Sequence, residues 1–242
     1  VRSRASGHAA APLWVVLAAA TGYALWLGLH WLPLDYNDKE LAAMVSRVWD
    51  IRRELLTHFR LPWWTPLYMG GSSYAPIYAQ SLYLGPWLLL SGFTDLATAG
   101  KLLALGALWA SAPAMYFCAR HFLGSSWAAA LSALAYLLFP QQLARAGGTE
   151  HIGLMLAFPL IPLVWLCFAR ALESGAATAA VACALVAVGL ALASYKQALV
   201  QAPFLLGYLG YWLWGSRERW RGALRSCALI AAWALALGAA SL

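Results

Sequence analysis

The sequence predicts an all-α polytopic membrane helix bundle, and three observations carry that expectation. The chain is 63% hydrophobic and only 10% charged, with a mean hydropathy of +0.67. Its apolar residues gather in runs of about 20, the length an α-helix needs to cross the hydrocarbon of a bilayer. The long Ala/Leu runs lack the alternating polarity of a membrane barrel, so helices, which satisfy their own backbone hydrogen bonds in lipid, are the expected structure.

Taken in order, Arg2 and Arg4 precede a first segment over residues 12–34. It is longer than a signal-peptide core and reads as an uncleaved anchor. Six further segments have the composition of spans: 100–118, 125–140, 152–169, 176–194, 198–215 and 226 onward. This makes about seven spans. The last segment runs apolar to Leu242, which reads as the N-terminal part of a longer protein. Segment 77–93 is short, contains Gly85-Pro86 and carries Gln80, Ser81, Tyr78, Tyr83 and Trp87, a pattern suited to an interfacial or re-entrant piece.

The distribution of charge decides between the layouts. If 77–93 does not span, one side receives Arg2, Arg4, Arg120, Arg170, Arg217, Arg219, Arg221 and Arg225 against Glu173 and Glu218, a net charge of +6. The other side then has eight basic residues against seven acids, net +1. If 77–93 spans, the Arg217–Arg225 cluster moves to the outer side and the positive-inside rule fails. The seven-span layout therefore places the N-terminus in the cytoplasm and residues 35–99 outside. The overall charge of +7 reflects this orientation, and nothing in its distribution suggests nucleic-acid binding. Cys118, Cys167, Cys183 and Cys227 lie in or beside apolar segments without metal-ligand spacing and read as small core residues.

The first outer loop holds five of the nine carboxylates: Asp35, Asp38, Glu40, Asp50 and Glu54. Leu41, Met44, Val45, Val48, Ile51 and Leu55 recur at helical spacing, with Arg47, Asp50, Arg53 and Glu54 opposite them. Residues 38–58 are thus an amphipathic helix expected to lie along the membrane interface, its charged face solvated. Asn37 with Glu40 has capping-box spacing, which gives Asp38 and Glu40 a place in a helix N-terminus; Asp35 has none. Leu61-Pro-Trp-Trp-Thr-Pro66 and the Pro- and Gly-containing stretch 68–78 follow as a turning loop rich in aromatic faces. A second outer loop, 141–151, delivers Arg145, Glu150 and His151 to the mouth of the next span, where ionisable groups are costly unless paired or functional. Lys196 stands at a third outer turn, placed to snorkel or to meet a phosphate.

Three stretches carry a family resemblance: Asp35-Tyr-Asn-Asp38-Lys39, Phe59-Arg-Leu-Pro62-Trp63-Trp64-Thr-Pro66 and Gly70-Gly71-Ser-Ser-Tyr74-Ala-Pro76-Ile-Tyr78. Together with the acid in the second outer loop, they resemble the GT-C superfamily of integral-membrane glycosyltransferases, in particular bacterial relatives of oligosaccharyltransferases and protein mannosyltransferases. The chain departs from the family at Asp38-Lys39, where a histidine is usual, and at Glu150, where Asp is commoner. The resemblance implies a bacterial inner-membrane enzyme transferring a sugar from a polyprenyl-phosphate donor to an acceptor at the outer face. By position Asp35, with Asp38 as its rival, matches the first catalytic acid and Glu150 the second. His151, Lys196, Arg145, Trp63, Tyr74 and Tyr78 become candidates for substrate binding. Members of the superfamily differ in using a divalent cation such as Mg2+ or Mn2+, so the cofactor stays open, as does the acceptor. Two other readings compete: a multi-pass transporter or lipid flippase, and a non-enzymatic membrane scaffold.

Overall fold

In each segment that the sequence marks as a candidate span, the described residues form a helix over most of their length in the computed structural model, which describes residues 10–31, 39–62, 64–65, 72–73, 81–139, 152–215 and 220–240. Helix α1 covers Ala10–Trp31 and α2 covers Lys39–His58. The two-residue strands Trp64–Thr65 and Ser72–Ser73 pair antiparallel. A 3-10 turn, Ser81–Tyr83, leads into α3, Leu84–Leu90. Then come α4 (Leu96–Leu123), α5 (Ser126–Leu137), α6 (Ile152–Ser174), α7 (Ala177–Ala193), α8 (Tyr195–Gly215) and α9 (Trp220–Ala240).

Among the described residues, three helices are long and apolar enough to cross a membrane: Ala10–His30, Leu96–Leu123 and Leu154–Ser174. Helices α5 and α7 are apolar but shorter, at 12 and 17 residues. The seven residues of α3 rise only ~10 Å, about a third of the hydrocarbon thickness.

Local chemistry sets the helix boundaries. The Asp95 carboxylate caps α4, its Oδ1 accepting from the Ala97 and Thr98 backbone N–H groups at 2.9 Å each. This cap starts α4 four residues before the segment read from hydropathy. Gly124 ends the helix at φ +70, a left-handed conformation natural to glycine, and Ser125 caps α5 through its hydroxyl. Pro162 lies inside α6 and cannot donate to the carbonyl of Phe158, four residues earlier. Tyr136 of α5 supplies the missing donor, its hydroxyl giving a 2.9 Å bond to the Phe158 carbonyl oxygen.

Helix directions follow from specific contacts. The Trp109 indole N–H donates to the Thr21 hydroxyl at 3.0 Å, and Leu25 and Leu29 of α1 line one groove with Leu102, Leu105 and Gly106 of α4. Helices α1 and α4 are therefore antiparallel, and the end of α1 meets the start of α4. Helix α6 runs parallel to α4: Leu156 packs on the cluster of Leu96 and Ala99, while His121 and Glu173 meet at 3.2 Å at the far ends. Leu154 and Ala157 pack with Leu190 and Ala193, so α7 returns antiparallel to α6. Gln201 accepts from the Trp165 indole at 2.9 Å and Tyr208 packs on Phe168, which makes α8 parallel to α6. Near its start α9 docks on the last turn of α6, the Ser226 hydroxyl donating to the Ala171 carbonyl at 3.0 Å.

The bundle thus has two unlike ends. One gathers the C-terminus of α1, the 3-10 turn with α3, the starts of α4, α6 and α8, and the end of α7. The other exposes Arg120, Arg170, Arg221 and Arg225 against Glu173 among the described residues. Cys118 and Cys183 are buried, Cys167 and Cys227 are half-buried, and all four are free thiols.

Candidate functional site

Helix α2 packs on the first of these ends, and its seat there differs from the one its sequence pattern suggests. Val48 and Ile51 are buried against Tyr83, Leu84, Trp87, Leu96 and Ala99. Trp87 is fully buried and its indole N–H donates to the Leu96 carbonyl at 2.6 Å, locking α3 to the first residue of α4. Asp50, expected on a solvated face, is only 3% exposed, whereas Leu55, expected in the apolar stripe, is 37% exposed. The helix is turned so that part of its polar side faces protein. Trp49, Arg53 and Leu56, spaced at four and three residues, face outward instead.

Burial of Asp50 demands a partner, since an unpaired buried carboxylate is far costlier than a paired one. Arg53 supplies it, donating from Nη2 to Oδ1 at 2.9 Å while its guanidinium lies 5.0 Å over the Trp49 ring. One turn on, Glu54 gathers Arg60 at 3.1 Å, His58 at 3.3 Å and Arg53 at 3.6 Å. The hydrogen bond from Arg60 holds the Glu54 carboxyl below its ordinary range, with His58 and the two guanidiniums adding to the effect. Both carboxylates are thus engaged by basic side chains of α2 and its C-terminal flank. Burial raises the Tyr83 phenol above its usual range, and the charge of Arg47 opposes that shift. Lys101, 5% exposed in the second turn of α4, adds a buried amine to the helix end against which α2 packs.

Of the nine residues singled out for catalysis or substrate binding, Lys196 is the one described. It is exposed in the first turn of α8, just after the Ser194 break between α7 and α8. Asp35, Asp38, Trp63, Tyr74, Tyr78, Arg145, Glu150 and His151 lie outside the described residues. The described chain on either side of several of them does converge. Residues 32–38 are entered from the end of α1 and left into α2; residues 140–151 are left into the start of α6. Leu137, near the end of α5, shares a core cluster with Met155 of α6. No group of three or more His, Cys, Asp or Glu side chains able to hold a metal occurs among the described residues.

Sequence reasoning passed over the buried polar groups under α2. Lys101 carried a usable signal, because a lysine so near the start of a candidate span is expensive unless it is paired. Asp50 and Arg53 also have the i,i+3 spacing of a helical ion pair, although spacing alone does not show which face is buried. Comparison with family models, curated proteins and solved structures gives no match for this chain.

Proposed function

We infer that this chain is part of a membrane glycosyltransferase that transfers a sugar from a polyprenyl-phosphate donor to an acceptor at the outer face of a bacterial inner membrane. In this reading the bundle has about seven spans and a cytoplasmic N-terminus, and α2 is an interfacial helix beside the reaction site. The observation that carries it is convergence. The described residues that flank 32–38 and 140–151, together with Lys196, belong to one end of the bundle, while exposed arginines mark the other.

The chemistry suits these residue types. Asp35, or Asp38 in its place, orients and deprotonates the acceptor nucleophile as it attacks the anomeric carbon. Glu150 is the second acid, holding the acceptor or a divalent cation. Lys196 and Arg145 offset the charge of the departing polyprenyl phosphate, and His151 stands beside them. Trp63, Tyr74 and Tyr78 offer flat faces to the sugar.

The test is sugar transfer in membranes from a panel of polyprenyl-phosphate sugars, comparing the native chain with Asp35→Asn and the Asp35→Asn/Asp38→Asn pair. Loss of the acid is expected to reduce transfer by about 100-fold or more, the usual contribution of a general base, with insertion and thermal unfolding unchanged. Full activity in the double variant would sink the proposal. Substrate flux across sealed vesicles without transfer would replace it with a transporter.

A further inference from the structure

We propose that the outward face of α2 docks on an anionic phospholipid surface, its arginines meeting lipid phosphates and its Trp49, Leu56 and Phe59 side chains entering the apolar boundary beneath them. The sequence pattern alone would lay the apolar stripe of α2 on the membrane, but Val48 and Ile51 of that stripe are buried against the bundle. A second face is turned away from the protein. It carries Trp49, Arg53 and Leu56, with Arg52 partly exposed beside them, and continues past the helix end into exposed Phe59 and Arg60.

Charge identifies the occupant. Residues 47–60 hold four arginines against Asp50 and Glu54, a net charge of +2 with His58 neutral. The two signs are sorted by depth: the acidic side chains are 4% and 13% exposed, those of Arg53 and Arg60 48% and 69%. Each acid lies beneath the arginine that it holds, so the surface that α2 turns outward is cationic. Guanidinium groups suit phosphate oxygens, and the Arg53 guanidinium 5.0 Å over the Trp49 ring sets a cation and an aromatic body side by side. A headgroup layer offers phosphate and hydrocarbon within the length of one such side chain. An acidic protein would match the charge but not the height. Helix α2 packs beside Leu96 and Ala99, in the first turn of a helix long and apolar enough to cross a membrane, so its outward face lies where hydrocarbon gives way to headgroups.

The end of the helix adds an independent observation. Phe59 has φ +51, a left-handed conformation in which glycine commonly ends a helix and a bulky residue is strained. Its N–H closes on the Leu55 carbonyl at 3.1 Å, while its ring is 89% exposed, so packing within the protein offsets little of the strain. Entry of the ring into a lipid boundary offsets it.

The proposal rests on the membrane placement in the reading above and not on sugar transfer. The full chain is reconstituted in vesicles of phosphatidylcholine and phosphatidylglycerol, with a trace of either lipid carrying a photoreactive headgroup, and adducts are mapped by mass spectrometry. The phosphatidylglycerol probe is expected to label residues 49–60 in preference to the phosphatidylcholine probe. Arg52→Gln should cut that labelling roughly fivefold, the weight of one basic residue at an anionic surface, with thermal unfolding unchanged. Phe59→Gly should unfold at no lower a temperature, since it relieves the left-handed strain, and yet take less label. Arg120→Gln, at the opposite end of the bundle, should behave as the native chain. Equal labelling by the two headgroups, undiminished labelling in both α2 variants, or crosslinks to a second copy of the chain in place of lipid adducts would overturn the proposal. No sugar donor is present, so failure here is distinct from failure of the transfer assay.

Discussion

The bond from Tyr136 to the Phe158 carbonyl shows how a single side chain repairs a backbone defect where no water can. Pro162 removes the donor that would have satisfied this carbonyl, and an unsatisfied carbonyl in hydrocarbon is costly. Tyr136→Phe deletes the replacement donor and little else, and should destabilise the bundle by roughly 1 kcal/mol, the scale seen for hydrogen bonds between membrane helices. Restoring the backbone N–H with Pro162→Ala should remove most of that penalty. A double-mutant cycle on unfolding in detergent reads the coupling, and additive effects would show that Tyr136 and Pro162 act independently. Both residues were visible in the sequence. Their relation was not, because it runs through a bond from Tyr136 of α5 to Phe158 of α6, 22 positions on, and depends on the helices packing in one register. The Asp95 cap, by contrast, is a local signal: a carboxylate directly before an apolar run needs no tertiary information to be read.

At the scale of elements, the apolar helices were legible because their signal is continuous composition, although only three among the described residues are long and apolar enough to cross a membrane, and α2 was legible because its signal is a 3.6-residue period. The face that α2 buries was not. A period reports how apolar residues are spaced, while the seat is chosen by what α3 and α4 present: fully buried Trp87 and Ala99, with Tyr83 and Leu96 beside them. These draw in Val48 and Ile51 and carry Asp50 with them, leaving Leu55 at the edge. The consequence is an inverted order of mutational cost. Asp50→Ala should destabilise by about 1.5 to 3 kcal/mol, because it removes the charge-assisted hydrogen bond from Arg53 that holds this turn of the helix in place. Leu55→Ala should cost under ~1 kcal/mol, since so exposed a side chain forfeits only part of its transfer free energy. Unfolding of the two variants in detergent distinguishes this seat from one with Asp50 in solvent, for which Leu55→Ala would be the more damaging. Of the candidate site, the sequence supplied residue types and an order along the chain; the described residues add the end of the bundle on which its flanking helices meet.

At the scale of the whole molecule, the antiparallel contact of α1 with α4 constrains how the chain crosses the bilayer. Two successive spans are antiparallel when the chain between them stays on one side, and parallel when it crosses once between them. The Thr21–Trp109 hydrogen bond and the shared groove show the antiparallel case, and α3 by itself is far too short to cross. Residues on either side of 77–93 are therefore expected on the same face of the membrane. Leu61, Phe93 and Tyr195 are exposed, at 49%, 92% and 49%, and Ser125 and Ala176 are exposed at the opposite end of the bundle. With the four native cysteines replaced by alanine, single cysteines at these five positions are probed with a membrane-impermeant thiol reagent on sealed, oriented vesicles. Leu61→Cys, Phe93→Cys and Tyr195→Cys should label from one side, and Ser125→Cys and Ala176→Cys only from the other. In the proposed orientation the second side, with Arg120, Arg170, Arg221 and Arg225, is the one expected to face the cytoplasm. Leu61→Cys and Phe93→Cys labelling from opposite sides would make 77–93 a span. The chain between α1 and α4 would then have to cross the membrane a second time for their antiparallel packing to hold.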